Sequence, residues 1–266
     1  MRVNIAKVLA DIEADSDQNI DLLADLLKIK SISTIPDYAD ECYRAAVWLK
    51  AFLDSFGMDA IIYESEGHPI VFSNYQTSRP EAKTILFYGH YDVQPVDPVS
   101  LWDSDPFDPV LSSIDNEPCI IARGASDDKG QLLTFLIALK YIKDEAGELP
   151  FCLKIILEGE EECGSKTLPI FLEDYKDKLS ADIAYVCDTG MWDKDTPAIT
   201  RSLRGLLSEE FKIIGPDRDL HSGEFGGVAW NPIRIITKIL SDVYDDEGKV
   251  TIPNFYDGVN LSLIHI

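Results

Sequence analysis

The sequence predicts an α/β protein, a mainly parallel sheet sandwiched by helices, followed by the start of a smaller α+β domain. Two observations carry that prediction. Up to residue 188, short apolar runs of strand length alternate with segments of helical period, the pattern of a layered α/β sheet. From about residue 206 the rhythm changes to one strand-like run, a Gly/Asp/His-rich loop and one helix. The expected domains are therefore 1–205 and 206–266.

The elements follow in order. "DQNIDLLADLLKIKSIS" repeats Ile20, Leu22, Leu23, Leu26 and Leu27 at helical spacing. "YADECYRAAVWLKAFLDSFG" is a second amphipathic helix, stopped by Gly57 just past its end. "DAIIYE", "PIVFSNY" and "KTILFYGHYDV" read as strands. "QLLTFLIALKYIKDE" is apolar on most sides and long enough for a buried helix. "FCLKIILEGE" reads as a strand, "LPIFLEDYKDKL" as a helix and "DIAYVCD" as a strand. In the second domain "GLLSEEFKIIG" has strand-like alternation, and "NPIRIITKILSDVYDD" is a helix with Pro232 near its start.

Composition narrows the functions. With 266 residues and 45% hydrophobic residues the chain can bury a sizeable core. A formal net charge of −23, from 47 acids against 24 bases, argues against nucleic acid or an anionic membrane as partner. Five cysteines, odd in number and without a C-x-x-C pair, suit reduced thiols in a cytoplasmic protein. The N-terminus meets acids too early for a signal peptide, and no apolar stretch is long enough to span a bilayer.

Chemistry-bearing residues gather where strands end. "ILFYGHYD" ends in His90 and Asp92, "IIARGASDD" delivers Asp127 and Asp128, "IILEGEEE" delivers Glu161 and Glu162, and "AYVCD" delivers Asp188. Ligands of open α/β sheets bind at the carboxyl ends of strands, so these groups are placed to converge. An imidazole with several carboxylates is a ligand set for zinc or a similar divalent ion. Asp92, two residues from His90, projects to the same side and can hold its ring. Taken singly, each residue also has an ordinary reading: His90 a satisfied strand-end histidine, Asp127 a helix N-cap, Asp188 a turn residue. Glu158 and Glu160 read as mostly solvated or supporting charge, and His68 as a surface-loop residue. His221 lies in a glycine-rich loop of the second domain, and His265, in the last three residues, is assigned nothing.

"GHYDVQPV", "ARGASDDKGQ", "EGEEECGS", "CDTG" and "DLHSGEFGG", in this order and spacing, resemble the dinuclear zinc metallopeptidase family of carnosinase-like dipeptidases and related deacylases. The resemblance covers nearly the whole chain, and "HYDVQPV" with "SDDKGQ" is closer to the dipeptidase branch. It implies that His90, Asp127 and Asp188 hold one zinc and that Asp127 bridges to a second zinc held also by Glu162, with manganese or cobalt as alternatives. Glu161 would be the general base that takes a proton from the attacking water and passes it to the leaving amine. Asp92 would orient His90, a cis Asp127–Asp128 peptide is expected, and His221 would stabilise the oxyanion, in several members across a dimer interface. A further histidine for the second zinc, the later lid residues and the remaining sheet strands have no counterpart here. The chain thus reads as the N-terminal part of a longer enzyme, with its second metal site incomplete, little activity of its own, and an open strand edge. Three functions compete: a zinc-dependent dipeptidase acting as a homodimer through its lid, an N-acyl-amino-acid deacylase of the same family, and a non-catalytic metal-binding or dimerisation module.

Overall fold

The computed structural model describes residues 3–193, 195–201, 203, 205–206 and 208–258. The chain divides into two compact units, Met1–Ile199 and Thr200–Ile266.

In the first unit, helices α1 (Ile5–Ala14), α2 (Ser16–Leu27) and α3 (Ala39–Ser55) precede strands β1 (Ile61–Tyr63), β2 (Ile70–Tyr75) and β3 (Thr84–His90). A hairpin of β4 (Val110–Ile114) and β5 (Glu117–Ile121) follows. Then come α4 (Lys129–Ala146), β6 (Cys152–Glu158), α5 (Leu168–Asp174) and β7 (Ile183–Val186). The main sheet has the order β1-β2-β6-β3-β7. The pairs β6/β3 and β3/β7 are parallel, whereas β1/β2 and β2/β6 are antiparallel. Four of the five strands therefore run the same way and only β2 is reversed. A crossover through α4 carries the chain from β3 to its parallel neighbour β6, as such pairs require.

Helices cover both faces. Leu153, Ile155 and Leu157 of β6, with Phe87 of β3, join one core with Leu49 and Leu53 of α3 and Leu132 and Leu136 of α4. The alternate residues Phe72 and Ile156 pack with Phe171 of α5 on the other face. This two-sided burial is what makes β6 apolar almost throughout. Helix α3 ends as predicted: Gly57 takes φ +71°, and Lys143 Nζ donates to the carbonyl of Phe56 at 2.6 Å. At the sheet's edge, β7 leaves Ile183, Tyr185 and Val186 exposed.

Two predicted elements change, and two elements are new. "IIARGASDD" does not end a strand of the main sheet: β5 stops at Ile121 within the separate hairpin, and Asp127 sits on the loop that leads into α4. The hairpin and α1 are both absent from the predicted elements. The hairpin's signal is the pair Asp115–Asn116, whose φ angles of 53° and 67° suit a tight primed turn. In the second unit, α6 (Ser222–Phe225) and α7 (Pro232–Ser241) form, the latter capped by the Asn231 side chain. The described residues of 205–215 form no strand, so the alternation there has no ladder partner to realise it. His265 lies outside the described residues. Among the described residues no helix is long and apolar enough to cross a membrane.

Candidate metal centre

His90 is the last residue of β3 and is fully buried. Its Nδ1 lies 3.3 Å from Asp92 Oδ1 and 3.2 Å from the Asp92 carbonyl oxygen. Nε2 therefore points the other way, 3.0 Å from Asp127 Oδ1 and 3.7 Å from Asp188 Oδ2. One ligand atom from each of His90, Asp127 and Asp188 lies within 4.8 Å of the others, the only such trio among the described residues. The two aspartates are exposed, so the trio opens to solvent on one side. The ordinary reading of Asp127 as a helix N-cap does not hold. Asp128 occupies that position, without a side-chain cap bond, while Asp127 turns to the imidazole.

Asp92 links the ring to the glutamates. It is fully buried, and its Oδ1 and Oδ2 accept the backbone N–H groups of Glu161 (3.2 Å) and Glu162 (3.0 Å) at the start of the short 3-10 turn Glu161–Cys163. Burial alone would favour the neutral imidazole. Asp92 outweighs it by hydrogen bond and charge, helped by Asp128 and Glu161, and pushes the His90 pKa up to about 10. Burial also raises the Glu161 carboxyl, with Glu162, Asp188 and Asp92 adding repulsion and His90 opposing. Glu162 stands outside the trio; its Oε2 accepts from Gln94 Nε2 at 2.9 Å, and the same amide donates to the Glu162 carbonyl at 3.1 Å.

The four glutamates at 158, 160, 161 and 162 do not divide into chemistry and solvation as the sequence suggests. Glu158 and Glu160 are 1% and 6% exposed, not solvated. His68 is half-buried, with Nε2 3.0 Å from the Ser33 carbonyl oxygen. The Asp127–Asp128 peptide is cis. His221 belongs to the second unit, where its Nδ1 accepts from Gly223 N–H at 3.0 Å and caps α6.

The donor set fits a divalent cation. Nδ1 is committed to Asp92, and Nε2 is directed at the carboxylates of Asp127 and Asp188. Without a cation these acids would repel one another.

Residues 86–259 match the family described as Peptidase family M20/M25/M40. The chain belongs to that family. The Cys-Gly metallodipeptidase dug1 of Schizosaccharomyces pombe is 30% identical over 271 residues, covering 97% of this chain and 56% of that protein. The human Beta-Ala-His dipeptidase is 30% identical over 269 residues, covering 96% of this chain and 52% of its own. Among solved structures, human carnosine dipeptidase 1 superposes with a TM-score of 0.75 at 27% identity, over 99% of this chain and 57% of the other. An M20 family metallo-carboxypeptidase, Sso-CP2 from Sulfolobus solfataricus, superposes with a TM-score of 0.71 at 34% identity, over 92% and 54%. The chain thus spans about half the length of the relatives it matches.

Two residues of this M20/M25/M40 chain enter the site without having been given a role from sequence. Asp128 is buried, and its Oδ2 accepts the His90 N–H at 3.1 Å. Burial, with the charges of Asp188 and Asp127 added and the His90 contacts opposing, pushes its carboxyl up to about 7. Gly89 eases the contact, because a Cβ there would sit tightly, 3.1 Å from Asp128 Oδ2 and 3.2 Å from Leu132 Cβ. The second is Gln94. Its signal was its place two residues beyond Asp92, on the same side of an extended chain.

Proposed function

We propose that this chain carries the metal centre of a zinc-dependent dipeptidase. The observation that carries the reading is the trio of His90, Asp127 and Asp188 ligand atoms within 4.8 Å, with Asp92 behind the ring. The names of the relatives, Cys-Gly metallodipeptidase and Beta-Ala-His dipeptidase, support dipeptides as the substrate class.

In this reading His90, Asp127 and Asp188 hold one zinc, and Asp127 with Glu162 holds part of a second site. When bound, the ion polarises the scissile carbonyl and lowers the pKa of water at the centre. Glu161 takes the proton of the attacking water and returns it to the leaving amine nitrogen, a task suited to a carboxyl raised by burial. Asp92 holds His90 in the tautomer whose Nε2 faces outward. Residues 1–205 form the catalytic domain and 206–266 part of a lid and dimerisation domain, whose His221 stabilises the oxyanion. A cytoplasmic homodimer completes the reading, and the five free cysteines support a reducing compartment.

The test uses the full-length protein that contains this chain, stripped with a chelator and reloaded with zinc. It is assayed on a panel of dipeptides alongside N-acetyl and N-succinyl amino acids. Dipeptide hydrolysis that disappears with the metal and returns with it is expected. A marked preference for the N-acyl substrates would replace the dipeptidase with a deacylase, and hydrolysis of neither would remove both.

A further inference from the structure

The backbone that presents Glu161 and Glu162 is held by two other carboxylates that play no part in the chemistry proposed above. Glu158, the last residue of β6, pairs in register with His90 across the sheet. Its Oε1 accepts the hydroxyl of Tyr88, two residues before His90, and that of Ser165 at 3.1 Å, while its Oε2 is buried without a partner among the described residues. Glu160 holds the other side of the same turn. Its Oε1 accepts the His68 N–H at 3.3 Å and its Oε2 the Thr167 N–H at 2.8 Å. Gly67 is fitted to that carboxylate, since a Cβ there would come within 2.0 Å of Glu160 Oε1. The turn also closes on itself, with Ser165 N–H donating to the Glu160 carbonyl at 2.7 Å.

We propose that Glu158 and Glu160 are positioning residues that fix the turn from Gly159 to Ser165, and through it Glu161 and Glu162, against the His90 centre. The proposal rests on the metallopeptidase reading for its consequence and on the hydrogen bonds for its geometry. A buried carboxylate is costly unless it gathers donors, and each of these two gathers a pair: the Tyr88 and Ser165 hydroxyls at Glu158 Oε1, and the His68 and Thr167 N–H groups at Glu160. Those donors come from β3, the 67–68 loop and the entry to α5, which are otherwise separate elements. With Asp92 on the amides of Glu161 and Glu162, the turn has three carboxylate anchors and little freedom left.

The two glutamates differ in a way that makes the proposal testable. Glu158 uses one oxygen for both donors, so Glu158→Gln keeps both bonds and places its amide nitrogen where Oε2 had no partner. Glu160 uses both oxygens, so Glu160→Gln sets an amide N–H₂ against a backbone N–H donor. In the full-length protein, amide hydrogen exchange over 159–165 is read by mass spectrometry beside zinc content, kcat and KM. Glu160→Gln and Glu158→Ala are expected to speed exchange over the turn and to lower kcat by about tenfold to a hundredfold. KM and the zinc bound at His90 should stay within about twofold, because neither carboxylate hydrogen-bonds to His90, Asp127 or Asp188. Glu158→Gln is expected to restore both exchange and kcat. Should Glu160→Gln fail to fold, Gly67→Ala displaces the same carboxylate without altering its charge and should loosen the same amides. Unchanged exchange in Glu160→Gln or Gly67→Ala, or a Glu158→Gln as impaired as Glu158→Ala, overturns the proposal. Loosened exchange in a protein whose wild type hydrolyses no dipeptide would leave the anchoring standing and remove the dipeptidase reading alone.

Discussion

Asp92 Oδ1 lies 3.3 Å from His90 Nδ1 and accepts the Glu161 N–H at 3.2 Å, so one carboxylate oxygen faces both the imidazole and the peptide that carries the proposed base. Removing it acts on both. In Asp92→Ala the ring loses the partner that sets its tautomer, and zinc affinity should fall about tenfold to a hundredfold, the usual effect of losing such a support. Competition against a chromophoric chelator measures it, and an affinity equal to wild type would show that the ring needs no carboxylate behind it.

Metal binding should depend on pH through His90. With its pKa pushed up to about 10, the ring carries a proton throughout the neutral range, and a cation at Nε2 must displace it. Apparent zinc affinity should therefore weaken on acidification, by about tenfold per pH unit for one displaced proton. Calorimetric titrations in buffers of different ionisation enthalpy count the protons released. Zero release near pH 7 would mean that the ring is already neutral.

Glu161→Gln keeps the shape of the side chain but cannot take a proton. Turnover in the full-length protein should fall by about a hundredfold or more, with zinc still bound. Turnover within a few-fold of wild type would remove Glu161 from the proton path.

Acid stability has a separate, distant contributor. Glu148 accepts from the Ser78 hydroxyl and backbone N–H, with Arg79 and Thr77 added, and these hold its pKa down to about 2 from an ordinary 4.5. Its folded pKa is depressed, so its contribution is present above about pH 4.5 and is lost as pH falls from there through about 2. Glu148→Gln should lower the denaturant midpoint at neutral pH and flatten its fall across that window. A variant whose acid profile superposes on wild type would show that this carboxylate contributes nothing.

Much of the layered unit is legible in the sequence. The helical period of 39–55, its stop at Gly57 and the run that becomes α4 are properties of neighbouring residues, written into the chain itself. His90 and Asp92 were legible together because a spacing of two on an extended chain puts both on one side. The described residues of 205–215 form no strand for the converse reason: alternation is only half of a strand, and a ladder partner must supply the rest.

By itself the sequence determined the types and order of most elements, and it singled out His90, Asp127 and Asp188 as candidate ligands. It could not say which of the crowded glutamates faces inward. Glu160 is buried because His68, 92 residues earlier, supplies a backbone donor, and Glu158 because Tyr88, 70 residues earlier, supplies a hydroxyl. Likewise Asp128 found its role only when β3 and α4 met at Gly89. Local periodicity depends on neighbours in sequence, whereas the burial of a charge depends on donors that only the folded chain brings within hydrogen-bonding distance.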